Sequence, residues 1–329
     1  MPARPNNVGF AATQLQNGDD GSAALTGDSF RGDGTLPTDR RTGLAALESI
    51  DEIALLAVPD EVHPALSGAN QTAITNELVN QCERLKDRFA VLAVGSGQGD
   101  VTGIRPPRDS SYASIYYPWI RVFDARTADT LLVPPQGHVL GVYARTDTER
   151  GVHKAPANAE VRGIITRDLD TNTGPLEFRV TKGQHDILNP RGVNVIRDFR
   201  PANRGVRVWG ARTMSSDAQW RYTNVRRLFI FVEESIDEGT QWVVFEGNYE
   251  PTWARVVRSV SNFLTSVWRD GALAGVTPEE AFFVRCDRST MTPDDIDNGR
   301  LICLVGIAPV KPAEFVIFRI SQKTIEAQA

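Results

Sequence analysis

Side chains suited to redox chemistry and metal binding are scarce in this sequence. Its 329 residues contain three cysteines, Cys82, Cys286 and Cys303. An odd number at wide spacing makes no disulfide framework, so they read as small apolar packing residues of a protein made in a reducing compartment. The four histidines, His63, His138, His153 and His185, are not spaced as a convincing metal motif. A basic surplus is also lacking. The formal net charge of −5 argues against a broad nucleic-acid-binding face. No apolar run reaches the length of a membrane span, and the N-terminus shows no charged-then-hydrophobic export signal. These absences predict no direct membrane insertion and synthesis in the cytoplasm. There is no internal repeat, coiled-coil seam or low-complexity tract.

What remains is an ordinary globular composition, 41% hydrophobic and 23% charged, in a chain long enough for one large or two medium domains. Residues 1–41 are rich in Gly, Asp, Ser, Thr and Asn and read as a flexible segment with a short strand near Val8–Ala11. Thr42–Glu48 suits a helical turn. The apolar runs Ile53–Val58 and Phe89–Val94 suit buried strands. Between them Ile74, Leu78, Cys82 and Leu85 recur at helical spacing. Strand, helix and strand at this length form the βαβ unit of a parallel sheet. Ser114–Asp124 reads as a third strand with a bulge or edge at Pro118, and Gly137–Thr146 as a helix. Short strands are expected at Leu176–Val180, Val193–Ile196 and Val206–Trp209, with a turn at Asn189–Gly192.

Beyond Trp220 the helical period strengthens. Val225, Leu228, Phe229, Val232 and Ile236 mark a helix ending at Gly239, a glycine C-cap. Trp242–Phe245 reads as a strand. A long helix follows from about Pro251 to Leu273, with Trp253, Val256, Val257, Val260, Phe263, Leu264, Val267 and Trp268 on its buried stripe. Thr277-Pro278-Glu279-Glu280 and Thr292-Pro293-Asp294-Asp295 have the layout of capped turns, and Ala281–Cys286 is a strand between them. The chain then carries two apolar runs, Leu301–Ile307 and Phe315–Ile320, around Pro309 and Pro312. Alternate residues of the first run are apolar on both faces, so both faces need cover. The fold class is α/β: a mixed sheet flanked by helices, with a smaller irregular β-containing insertion. The organisation is a flexible segment at 1–41, a first core part at 42–150, the insertion at 151–201 and a C-terminal domain at 202–329.

Catalytic chemistry finds little support. Gly95-Ser96-Gly97-Gln98-Gly99-Asp100 follows a strand, but Gly103, Pro106 and Pro107 break the chain where a phosphate-binding loop needs a helix. Glu233-Glu234 and Asp294-Asp295-Asp297 fit solvated or partner-facing roles and helix-start capping better than acid–base pairs. Trp220-Arg221-Tyr222 with Arg226-Arg227 fits an inter-protein contact or a core anchor. The sequence predicts no enzyme, no catalytic or metal residues and no cofactor.

Several long blocks resemble one family. Gly141–Asn158 (GVYARTDTERGVHKAPAN), Leu188–Phe199 (LNPRGVNVIRDF), Arg207–Leu228 (RVWGARTMSSDAQWRYTNVRRL) and Ala308–Gln322 (APVKPAEFVIFRISQ) are similar to contractile tail sheath proteins of phage tails, pyocins and extracellular contractile injection systems. RTGLAALESIDEIALLAVPD, DRFAVL and DSSYASIYYPWIRV look like its upstream blocks, so the resemblance runs from about Arg41 to the C-terminus. It implies a structural subunit that polymerises as stacked hexameric rings around an inner tube and contracts to drive the tube through a target envelope. Implied partners are the chain itself, the inner tube protein, and baseplate and terminator or cap proteins, with assembly in the cytoplasm. Family members stay linked because terminal arms add strands to neighbouring sheets. On that basis Phe315, Val316, Ile317, Phe318 and Ile320 are expected in an inter-subunit strand. Position in the family places Asp294, Asp295 and Asp297 at the tube contact. The opening MPARPNNVGFAATQ departs from the Pro-Gly-Val-Tyr-like start of the family, leaving the N-terminal arm missing, replaced, carried by another chain or trimmed from this sequence. The alternatives are a sheath-like paralogue acting as terminator or baseplate partner, and a nucleotide-using α/β enzyme built on the βαβ unit.

Overall fold

A computed structural model describes residues 25–165 and 174–315. Two short helices, α1 (Gly27–Arg31) and α2 (Gly43–Ala46), precede the βαβ unit. That unit is β1 (Leu55–Leu56), α3 (Gly68–Leu85) and β2 (Phe89–Ala93). Ser67 caps α3 by accepting the Asn70 N–H, and the helix ends on Lys86 in the left-handed region at φ 67°. There follow β3 (Ala113–Tyr117), β4 (Ile120–Asp124), β5 (Asp129–Val133) and α4 (Gln136–Arg150). Next come β6 (Ala159–Glu160), α5 (Lys182–Leu188), β7 (Val193–Asp198) and β8 (Val206–Trp209).

The main sheet has six strands in the order β1-β2-β3-β7-β8-β6. The first four run parallel, while β8 is antiparallel to both β7 and β6. All five residues of β2 are buried because the sheet is covered on both faces. Ala90 and Leu92 pack with Leu78, Val79 and Cys82 of α3 and Leu188 of α5. Phe89 and Val91 face the other way, into Val139, Val142 and Tyr143 of α4.

The C-terminal part is built on α6 (Thr223–Thr240) and α7 (Glu250–Arg269), followed by α8 (Pro278–Ala281), β9 (Phe282–Arg285), α9 (Pro293–Asp297) and β10 (Leu304–Ile307). Leu228 and Val232 of α6 pack with Val256, Val260, Leu264 and Val267 of α7. The antiparallel pair β9–β10 lies on this cluster, with Val305 opposite Val284. Two side chains tie α6 to the main sheet. The Arg226 guanidinium lies 3.5 Å from the Trp220 ring centre and 4.4 Å from that of Tyr112. Arg227 donates to both Asp147 oxygens of α4, at 2.9 and 2.6 Å. Both arginines are buried, so this segment anchors the core.

Several expectations are corrected. Ser114–Asp124 is not one strand: Pro118 has no N–H for a ladder, so β3 stops at Tyr117 and β4 leaves the main sheet to pair with β5. Trp242–Phe245 is not a strand but part of the connection between α6 and α7, with a 3₁₀ turn at Gln241–Val243 and Phe245 at φ 68° and 104% exposed. Leu176–Val180 contributes one bridge, Leu176 to Ile120, and no strand. Gly239 is not a cap, since α6 continues to Thr240 and is capped by Gln241. The long helix ends at Arg269, and Gly271 turns the chain at φ 79° before Leu273. Residues 151–201 supply β6 and β7 to the main sheet. They also contain α5, for which no helix was expected. The strand expected near Val8–Ala11 lies outside the described residues.

Candidate assembly interface

The stretch after α9 folds onto the C-terminal cluster mainly through one face. Leu301, Cys303, Val305 and Ile307 pack towards α6 and α7, as their alternation predicts. The opposite face is covered at Ile302, which packs with Trp253, Cys286 and Met291, and is open beyond it. Leu304 and Phe283 are exposed there, and the Phe283 ring lies so close over Gly306 that a Cβ at that position would clash with it. Within the described residues this sheet has only its two strands, so each has an outer edge with no further strand.

From Ile307 the chain crosses back to the main sheet as a strap. Ala274 donates its N–H to the Ala308 carbonyl at 2.7 Å, and Val310 donates to Ala272 at 3.1 Å. These bonds accommodate Pro309 because the neighbouring residues supply the N–H groups it lacks. The Asn224 side-chain amide of α6 donates to the Val310 carbonyl at 3.3 Å.

The strap ends on Glu314, which is held by three separate elements. Arg212 donates from Nε to Oε1 at 2.8 Å and from Nη2 to Oε2 at 2.6 Å. Asn189 Nδ2 donates at 2.7 Å and the Tyr222 hydroxyl at 3.3 Å. Burial pushes the Glu314 carboxyl up, but the bonds from Arg212 and Asn189 outweigh it and hold the group below the ordinary glutamate value. The Arg212 backbone N–H is itself bonded to Asn194 Oδ1 of β7 at 2.7 Å, which places the clamp directly on the main sheet. Beside it Trp209, His185, Tyr222 and Pro312 line a cleft of about 400 Å³.

Of the residues expected in an inter-subunit strand, Phe315 follows this clamp and is 66% exposed. Val316, Ile317, Phe318 and Ile320 lie outside the described residues. Asp294, Asp295 and Asp297 all fall on α9. Asp294 and Asp295 both bind Arg300, at 2.7 and 2.8 Å, and Asp295 closes the capping box with Thr292. Asp297 is exposed and makes no such bond. Sequence reasoning missed Arg212, Asn189 and Glu314. No local pattern marks them, because the partners are brought together by the fold from positions 102 and 125 residues apart.

The glycine-rich loop after β2 is not shaped for phosphate. The Gly97 N–H, which would have to face an anion, already donates to Glu177 Oε1 at 2.6 Å, and no helix follows. Among the described residues no cluster of three or more His, Cys, Asp or Glu side chains could hold a metal ion, and no helix is long and apolar enough to cross a membrane. One buried carboxylate stands apart. Glu61 accepts from Ala93 N–H and Gln136 Nε2, both at 2.9 Å, and from Thr75 at 3.3 Å. Burial pushes it up to about 8 despite these donors.

Comparison with known proteins gives a consistent answer. The family model described as phage tail sheath protein central domain matches residues 39–214, and the one described as phage tail sheath C-terminal domain matches 215–323. A Pseudomonas aeruginosa (strain UCBPP-PA14) protein named as a prophage major tail sheath protein is 25% identical over 304 residues, covering 91% of this chain and 72% of that one. Among solved structures, the helical sheath of the anti-feeding prophage in its contracted state matches with 37% identity and a TM-score of 0.71, over 94% of this chain and 76% of that one. The contracted sheath complex of the extracellular contractile injection system PVC matches with 34% identity and a TM-score of 0.70, over 86% and 75%.

Proposed function

Because the chain belongs to the phage tail sheath family, we propose that it is the structural subunit of a contractile sleeve, polymerising around an inner tube and shortening to drive it through a target envelope. The observation that carries this reading is the uncovered outer face of β9–β10, with Phe283 and Leu304 exposed and both strand edges free within the described residues. Free strand edges beside exposed apolar side chains favour pairing with another chain. Strand addition from a neighbour pairs a free edge and joins subunits through main-chain bonds that tolerate rotation.

In this reading the strap from Ala308 to Glu314 aims the following segment away from the subunit. Phe315, Val316, Ile317, Phe318 and Ile320 then add to the sheet of a neighbour. Contraction is a rigid-body change of packing between subunits that remain linked by these strands. The acidic turn at Asp294, Asp295 and Asp297 meets basic groups of the tube protein. The work is mechanical, needs no cofactor or chemical step, and takes place in a particle assembled in the cytoplasm with baseplate and cap proteins. Negative-stain microscopy of the full chain, expressed with its tube protein, tests the reading. Ordered sleeves of fixed diameter are expected. Monodisperse monomers stabilised against heat by phosphate would instead support the nucleotide-using alternative.

A further inference from the structure

Two of the three cysteines, far apart in sequence, meet across the small sheet. Arg285 pairs with Leu304 at the end of the β9–β10 ladder, and continuing that register by one position sets Cys286 opposite Cys303, just beyond the paired strands. The type of this pair follows from the ladder. Ala308 donates its N–H to the Ala281 carbonyl, which makes that a hydrogen-bonded pair. Alternation along the register then puts Gly306–Phe283 and Leu304–Arg285 in the same class, and Cys303–Cys286 in the non-hydrogen-bonded class. Cα atoms in such pairs are about 4.5 Å apart, within the range of about 4.4–6.8 Å that a disulfide spans. The two thiols lie close enough to shift each other's titration, and both are free.

Access to the pair is one-sided. Cys286 is buried with Trp253 and Met291. Cys303 is half-buried and lines an open groove of about 720 Å³ between β10 and the connection from α6 to α7. Cys82 is fully enclosed in a different cluster, on α3.

We infer that Cys286 and Cys303 are a modification site, closing to an intramolecular disulfide when the protein meets a small-molecule disulfide such as oxidised glutathione. The Cys303 thiolate attacks one sulfur of the reagent and releases the first glutathione thiolate, leaving a mixed disulfide. Cys286 then loses its proton and attacks the Cys303 sulfur, releasing the second glutathione. Two protein thiols are oxidised and one reagent disulfide is reduced to two thiols. The product staples β9 to β10 and closes the loop that carries α9, holding the outer face with Phe283 and Leu304 in one geometry.

Burial pushes the Cys286 thiol up to about 12 and raises Cys303 as well. The exchange is therefore slow near neutrality, and its rate follows the thiolate fraction, rising about tenfold per pH unit. This inference is independent of the polymer reading and applies to the isolated subunit.

The test incubates the folded full chain with oxidised glutathione at about pH 8.5, where exchange is faster than at neutrality, followed by peptide mass spectrometry. The expected product is a peptide linked between positions 286 and 303 with the loss of two hydrogens, while Cys82 stays reduced. The thermal midpoint should rise and return to its starting value with reductant. The Cys286→Ser variant should stop at a stable glutathione adduct on Cys303. Wild-type protein that stops at the same adduct, or in which both thiols can still be alkylated, would overturn the inference.

Discussion

Arg212 and Glu314 form a two-point ion pair across 102 residues of sequence, joining the last described stretch of the chain to a residue bonded to β7 inside the main sheet. Arg212 is only 9% exposed and Glu314 17%, so removing the carboxylate leaves a guanidinium with little water to replace it. Glu314→Ala is expected to weaken docking of the strap by about 3 kcal/mol, the typical cost of stranding one member of a buried pair. The expected readout is faster amide hydrogen exchange at 311–315, with α6 and α7 unchanged. The pair also sets a pH dependence. The Glu314 carboxyl is depressed in the folded state, so its contribution is full above the unfolded value of 4.5 and is lost as pH falls through the folded one. Strap exchange should therefore accelerate in acid.

Glu61 has the opposite sign. Its folded value of about 8 lies above the unfolded 4.5, so the folded protein holds the extra proton between those limits. The stability it contributes is full below pH 4.5 and is lost as pH rises through about 8. Glu61→Gln keeps the oxygen that accepts from Ala93 and Gln136 and removes the titration. Across that window the stability difference between wild type and Glu61→Gln should change by up to about 1.4 kcal/mol per pH unit, to the disadvantage of wild type as pH rises. Denaturant unfolding of both proteins at several pH values measures it. A constant difference would show that Glu61 does not titrate in this range.

The two levels of the structure were unequally legible. The buried stripe of α7 and the βαβ unit were readable because burial on one helix face, or on both sheet faces, leaves a period in the sequence. Trp242–Phe245 has the composition of a strand, yet two helices meet there and the run is turned outward. Short apolar runs carry no period that distinguishes a strand from a turn. The helix α5 did have a signal: Thr181 and Gln184 form a capping box, a spacing visible in the sequence. The Glu314 clamp had none, because Asn189, Arg212 and Tyr222 become neighbours only through the order of strands in the sheet. The alternation in Leu301–Ile307 correctly placed one face in the core. Its requirement for cover on the second face is met at Ile302, which packs with Trp253, and unmet among the described residues at Leu304, which stands exposed.

The acidic turn gives a sharper test of tube contact than its sequence suggested. Asp294 and Asp295 are bound to Arg300, so reversing their charge would also disturb α9. Asp297 is exposed and free of such bonds, and Asp297→Lys changes the surface alone. Co-purification with the tube protein should fall several-fold for this variant and fall less at high salt, where surface charge is screened. Unchanged recovery at low salt would remove Asp297 from the contact.

The account rests on the terminal segment joining one subunit to the next. Its most direct measurement compares the full chain with one ending at Pro312, using circular dichroism for folding and negative-stain microscopy for assembly. The shortened chain loses Glu314 and everything after it, while both hydrophobic clusters of the main sheet keep all their residues. It is expected to remain folded and to form no sleeves. A shortened chain that still builds sleeves of the same diameter would contradict the account and return the segment to the subunit's own fold.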